Sequence, residues 1–153
     1  MAVQPIPEGY QTLAPSLIVD GATEAIDFYK RAFGATDRGV MNGPDGKVAH
    51  AELQIGDSVL MLADPFPMQN AKAPTALGGT TVSIFMYVED VDAVFKQAIG
   101  AGATSTMEPD DMFWGDRFSL VQDPFGHTWT IATHIEDVSP EEMQRRSEEW
   151  AAQ

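Results

Sequence analysis

Apolar and polar positions change period several times along this chain, and they do so in the same order twice. Residues 12–19 alternate, with Leu13, Pro15, Leu17 and Val19 on one side of a strand and Thr12, Ala14, Ser16 and Ile18 on the other. Ala22, Ala25, Ile26, Tyr29 and Phe33 then recur three and four apart, the stripe of an amphipathic helix, and Gly34 ends it. Residues 48–55 and 58–63 alternate again around Gly56-Asp57, the pattern of a tight β-hairpin. The cycle then restarts. Residues 81–88 read as a strand, and Val91, Val94, Phe95, Ala98 and Ile99 mark a helix capped by Asp90 and closed at Gly102. After a loop over 107–115, residues 117–122 and 128–133 form a last hairpin across Asp123-Pro124-Phe125-Gly126.

The repetition extends to side chains. The run from Val19 to Thr36, with Ala25-Ile26-Asp27-Phe28-Tyr29 at its centre, is echoed from Val88 to Thr104. Two tandem strand-helix-strands modules are therefore predicted: about 10–64 and about 81–134, joined by a proline-rich linker over about 65–80. Ser139-Pro140-Glu141-Glu142 starts a C-terminal helix over about 139–151, with serine as cap, proline in the first turn and acids at the positive dipole end. The expected fold is α+β: two βαβββ modules forming a curved mixed sheet around a cup-shaped cavity, with helices on the outer face.

Alternation also assigns faces. If the apolar members of each strand pack on the helix, the cup receives Ser83, Phe85 and Tyr87 from the second module's first strand. Pairing Ile55 with Ser58 sets Glu52 opposite Met61, Gln54 opposite Val59 and His50 opposite Ala63, all inward. A four-residue loop in the last hairpin sets Arg117 opposite Ala132 and Ser119 opposite Thr130, also inward, with Phe118, Leu120, Trp129 and Ile131 in the core. A one-residue slip would invert every one of these assignments.

Composition narrows the function classes. The chain has no cysteine, which excludes disulfides, thiol nucleophiles and thiolate metal sites. Nine basic against twenty-three acidic residues leave a net charge of −14, which disfavours nucleic acid and anionic membranes as partners. No segment has the pattern of a signal peptide or the length of an apolar membrane span. The expectation is a cytoplasmic protein.

Phe113-Trp114-Gly115-Asp116-Arg117-Phe118-Ser119-Leu120-Val121-Gln122-Asp123-Pro124-Phe125-Gly126-His127, the helix pattern Ala25-Ile26-Asp27-Phe28-Tyr29 and the doubled βαβββ order resemble the vicinal oxygen chelate superfamily. That superfamily includes glyoxalase I, extradiol dioxygenases and the fosfomycin- and bleomycin-resistance proteins. His50-Ala51-Glu52 before Gly56-Asp57-Ser58-Val59-Leu60-Met61-Leu62, together with Ser139-Pro140-Glu141-Glu142-Met143, resembles its PhnB-like branch. The resemblance implies a metal held by inward residues at positions that here are Ala14, Met61, Ser83 and Thr130. A methyl, a thioether and two hydroxyls are poor donors for a divalent cation. No metal cofactor is expected; the alternative is one divalent metal near His50 and Glu52, completed by Gln54 or water.

Two functions follow. The first is a homodimeric small-molecule-binding protein in which Met61, Ser83, Phe85, Tyr87, Trp114, Arg117 and Thr130 contact the ligand and Arg117, His50 and Glu52 orient it. The second is a glyoxalase-like lyase or isomerase in which His50 or Glu52 removes a proton next to a carbonyl and Arg117 stabilises the enolate. A scaffold binding another protein through an acidic face is a third. Asp64 is expected to cap a strand end, and His127 and His134 to be solvated.

Overall fold

The computed structural model describes residues 2–153. Its elements run β1 (Ser16–Ile18), α1 (Ala22–Phe33), β2 (Thr36–Asn42), β3 (Val48–Ile55), β4 (Ser58–Ala63), α2 (Pro74–Leu77), β5 (Ser83–Tyr87), α3 (Val91–Ala101), β6 (Thr104–Asp111), β7 (Asp116–Gln122), β8 (Thr128–His134) and α4 (Pro140–Ala151). Module one forms a four-stranded sheet of order β1-β4-β3-β2, and module two repeats it as β5-β8-β7-β6. In each, the first strand lies parallel to the last and the other pairs are antiparallel.

The helices form where the stripes place them. In α1, Ala22, Ala25, Ile26, Phe28, Tyr29 and Ala32 are buried, and Gly34 closes the helix in the left-handed conformation. Its first turn is held from outside: Asp64 accepts from the backbone N–H groups of Gly21 (3.1 Å) and Ala22 (2.9 Å) and from Val48 N (2.8 Å). That carboxylate ties the end of β4 to two other elements. Asp90 caps α3 through Ala93 N, and Ser139 caps α4 through Glu142 N.

One core serves both modules. Leu17, Val19, Leu53, Leu60 and Leu62 of the first sheet join α1, α3, Val121, Trp129 and Ile131 in a continuous buried cluster. The two helices lie against each other, with Gln97 donating to the Arg31 carbonyl (2.8 Å) and Arg31 to the Ala101 carbonyl (3.1 Å). A second tie is polar and buried. Asp123, 4% exposed, accepts from the Tyr29 hydroxyl (2.5 Å), Trp129 Nε1 (2.9 Å) and the backbone N–H groups of Phe125 and His127.

The α+β tandem-module fold is the one expected, and two strand boundaries differ from the expectation. β1 begins only at Ser16: Pro15 has no N–H to donate, and Leu13 is largely exposed. β6 extends to Asp111, through residues expected as loop, because an outer strand tolerates its Pro109 and acidic side chains. The linker contains a one-turn 3-10 helix (Pro67–Gln69) and α2. The two sheets are not joined into one, since β1 and β5 are both edge strands with no pairing between them.

The last hairpin differs in register. Asp123 N donates to the His127 carbonyl (2.8 Å) and Gly126 N to the Asp123 carbonyl (3.2 Å), so three residues, Pro124 to Gly126, make the turn instead of four. Gly126 sits at φ 90°, where a Cβ would lie 2.9 Å from Pro74 Cβ. A left-handed residue after a tight turn shortens the loop by one, and the pairing becomes Arg117 with Thr133, Phe118 with Ala132, Ser119 with Ile131 and Leu120 with Thr130.

Candidate functional site

Because α1 and α3 cover one face of each sheet, the candidate residues must lie on the opposite faces. On module one the expected register is observed: Ile55 pairs with Ser58, Gln54 with Val59 and Glu52 with Met61, with Ser16 on the far side of Met61. His50 Nε2 lies 3.1 Å from Glu52 Oε1. Two residues that the alternation did not reveal complete this group. A bulge between Asp37 and Gly39 leaves Arg38 out of the pairing and turns it towards Glu52 (Nε to Oε2, 3.8 Å) and Gln54 (NH1 to Oε1, 3.1 Å). Tyr10 stacks under the Arg38 guanidinium, 5.4 Å from its ring centroid. Hydrogen bonds from Tyr10 first, and His50 second, hold the Glu52 carboxyl below its ordinary value of 4.5.

On module two the corrected register changes the cast. Phe85 pairs with Thr130 and Tyr87 with Ala132, and these share a face with Phe118 and Leu120. Ser83 is on the same face beside Thr128. Arg117 is not. It lies on the helix side, where Nε and NH2 hold Asp92 (2.7 and 2.9 Å) and NH1 holds Asp111 (3.0 Å). Ser119 has moved likewise, buried with its hydroxyl donating to the Ile131 carbonyl (3.0 Å). Both were expected inward, and the three-residue turn is the reason they are not.

The residue that replaces Arg117 on the open face is Asp116. Only 3% exposed, it accepts from the Tyr87 hydroxyl (2.8 Å), Trp114 Nε1 (3.2 Å) and His134 Nδ1 (2.9 Å). Hydrogen bonding and charge from Asp116 push the Tyr87 phenol upward. His134 is clamped on its other side too, Nε2 lying 2.8 Å from Asp137. With a carboxylate on each nitrogen, Asp137 and then Asp116 raise the imidazole above its ordinary 6.5. His127 is buried, its Nε2 donating to the Ile18 carbonyl at 2.9 Å. His127 is therefore not the solvated residue expected, whereas His134 is exposed as expected and held between two carboxylates. Gly126 after Asp-Pro-Phe was the available signal for the register, because a left-handed glycine there favours the three-residue turn.

Aromatic rings cover the rest of this face. Phe85 and Tyr87 lie 4.9 Å apart, Phe85 and Phe118 6.2 Å, and Trp114 and Phe118 5.4 Å. Phe85 is 47% and Tyr87 61% exposed. A cleft of about 980 Å³ opens between the modules, with Phe85, Tyr87 and His134 on one wall and Leu13, Ile55 and Val59 on the other.

The superfamily's metal positions fail a donor test. Met61 stands beside Ser16 and Glu52, and Thr130 beside Phe85 and Leu120, offering a thioether, hydroxyls and one carboxylate. A cation near His50 and Glu52 fares no better, since the Arg38 guanidinium already occupies the carboxylate's other side. Among the described residues no group of three or more His, Asp or Glu is arranged to hold a metal ion. Nor is any helix long and apolar enough to cross a membrane.

A family model described as glyoxalase/bleomycin resistance protein/dioxygenase superfamily matches residues 11–131. The uncharacterized protein Mb0911c of Mycobacterium bovis is 46% identical over 135 residues, covering 86% of this chain and 89% of that one. TioX from Micromonospora sp. ML1 superposes with a TM-score of 0.62 at 26% identity, covering 84% of this chain and 100% of its own. The PhnB protein from Bacillus cereus superposes with a TM-score of 0.61 at 18% identity, over 80% and 99% of the two chains.

Proposed function

This chain belongs to the glyoxalase/bleomycin resistance protein/dioxygenase superfamily, and we propose that within it the protein binds a small organic molecule without the superfamily's usual metal. The observation that carries this reading is the module-two face: four aromatic rings with a buried carboxylate behind them and two of the rings substantially solvent-exposed. Burying such rings against a ligand is favourable at about 25 cal/mol per Å² of apolar surface. An exposed patch of this kind on a folded chain marks a binding surface.

The site is completed by a second copy of the chain. Val40 and Met41 on β2, like Phe85 and Tyr87 on β5, remain exposed in the single chain, and β1 and β5 keep open edges. A homodimer that sets module one of one copy against module two of the other brings Glu52, His50 and Met61 over the aromatic floor. Native mass spectrometry of freshly purified protein tests this directly. A dimer retaining an organic molecule is expected. A monomer holding nothing overturns the closed two-copy site.

A second reading rests on the His50–Glu52 pair. Glu52, held ionised, orients the imidazole at Nε2 and leaves Nδ1 free, while Arg38 supplies the cation that Arg117 does not. In that lyase or isomerase, His50 is the base. His50→Ala then abolishes turnover with ligand affinity unchanged; a change in affinity alone eliminates the base.

A further inference from the structure

The register of the last hairpin decides the sign of the charge presented to a ligand. With a four-residue loop, the open face of module two would carry the Arg117 guanidinium, a receptor for carboxylate or phosphonate. With the three-residue loop, Arg117 is engaged by Asp92 and Asp111 on the other side, and Asp116 takes the open face. The charged groups near the aromatic cluster include Asp116, His134 and Asp137, Asp110 opposite Phe118 on β6, Glu89 lining the cleft, and Arg146 at the Phe113 carbonyl, where Glu136 and Glu142 pair with it. The carboxylates outnumber the imidazole and the paired guanidinium, which leaves this end of the site negative even with His134 protonated.

The hydrogen bonds add to this. The Tyr87 hydroxyl and Trp114 Nε1 both donate to the same oxygen of Asp116, at 2.8 and 3.2 Å. A phenol or indole that donates to a carboxylate gains electron density in its ring, and so its face attracts a cation more strongly. Resting on the small-molecule reading above, we infer that the ligand is an organic cation: a planar aromatic ring system carrying a positive charge, stacked on Phe85 and Tyr87 with its charge towards Asp116. Neither the aromatic cluster nor the carboxylate selects this class alone. Rings without the acid would take any flat apolar molecule, and the acid without the rings would be solvated.

The test uses three ligands of one shape and different charge: N-methylacridinium, neutral acridine and acridine-9-carboxylate. Each is titrated calorimetrically into the full chain at neutral pH and about 0.1 M salt, where screening over about 10 Å removes most of the long-range attraction of the acidic chain. N-methylacridinium is expected to bind about tenfold tighter than acridine and tighter still than the carboxylate. Tyr87→Leu, which removes half of the stacking floor, is expected to weaken both ligands but the cation about tenfold more, so that the preference is lost, and Tyr87→Phe, which keeps the ring but not its bond to Asp116, to remove part of the preference.

Equal or tighter binding of the carboxylate overturns the cation assignment and leaves the small-molecule reading standing. A preference for the cation that survives in Tyr87→Leu overturns the placement of the site. Failure of all three to bind at roughly 1 mM overturns the aromatic face as a binding site, and the reading it rests on falls with it.

Discussion

Removing one oxygen atom from Tyr29 should measure how firmly the two modules are held together. Its hydroxyl crosses from α1 to the β7–β8 turn and donates to Asp123 at 2.5 Å, with both groups buried. Burial first, and then the Asp123 charge, push the phenol far above its ordinary value, so the hydroxyl keeps its proton and donates. In Tyr29→Phe the ring contacts with Phe28, Phe33 and Trp129 persist, and Asp123 keeps Trp129 Nε1 and two backbone N–H groups. The loss is therefore close to one hydrogen bond to a charged acceptor, about 1.5–3 kcal/mol. With a slope of about 1–3 kcal/mol per molar urea, the unfolding midpoint should fall by roughly 1 M at unchanged slope. Asp123→Ala strands four donors at once, two of them on buried side chains, and should cost upwards of about 4 kcal/mol, much of the stability of an ordinary domain. Urea unfolding followed by tryptophan fluorescence reads both variants. A Tyr29→Phe midpoint within about 0.2 M of the parent would refute the argument, because it would mean that this buried bond contributes nothing net.

Other consequences concern the site and its supports. His134 has a raised folded-state value, so its contribution is complete below 6.5 and is lost as the pH rises through that higher value; an NMR titration of its ring protons should show a midpoint above 6.5, together with loosening of residues 135–138. Glu52 is shifted the other way and stabilises above 4.5, the contribution fading as the pH falls through its depressed value; Tyr10→Phe should move the Glu52 carboxyl carbon titration back towards 4.5. Arg117→Ala should lower the thermal midpoint by loosening α3 and β6 from β7 while leaving acridinium binding intact, whereas an inward Arg117 would have changed affinity. Gly115 has φ 100°, and a Cβ there would clash with the Glu136 carbonyl oxygen; Gly115→Ala should cost about 1–3 kcal/mol and detach the 135–138 segment from Gly115, whose carbonyl accepts from Ile135 N and Glu136 N, read as increased amide exchange there.

Much of the first module's site was legible from the chain. Gly56-Asp57 is a two-residue turn, for which only one pairing exists, so Glu52 opposite Met61 and Gln54 opposite Val59 followed from the turn and the alternation together. The second module offered no such constraint. In Arg117-Phe118-Ser119-Leu120-Val121 the alternation favours Phe118 and Leu120 as the core face, yet the structure gives the core to Ser119 and Val121. Which face is buried depends on whether Asp-Pro-Phe-Gly turns in three residues or four. Arg38 was not singled out, because it lies at a bulge of β2, where alternation cannot assign a face.

Local chemistry in the sequence determined the helices with their caps, the doubled βαβββ order, the two-residue turn and the superfamily, because each depends on residues close together along the chain. Tertiary structure decided the faces. The left-handed Gly126 packed against Pro74 sets the register of β7 on β8, and that register moves Arg117 to the acids of α3 and β6 and brings Asp116 beneath Tyr87, Trp114 and His134. A strand has two faces and a period of two, so one residue of slip is invisible to composition and to hydrophobic count, yet it exchanges an arginine for an aspartate in the site.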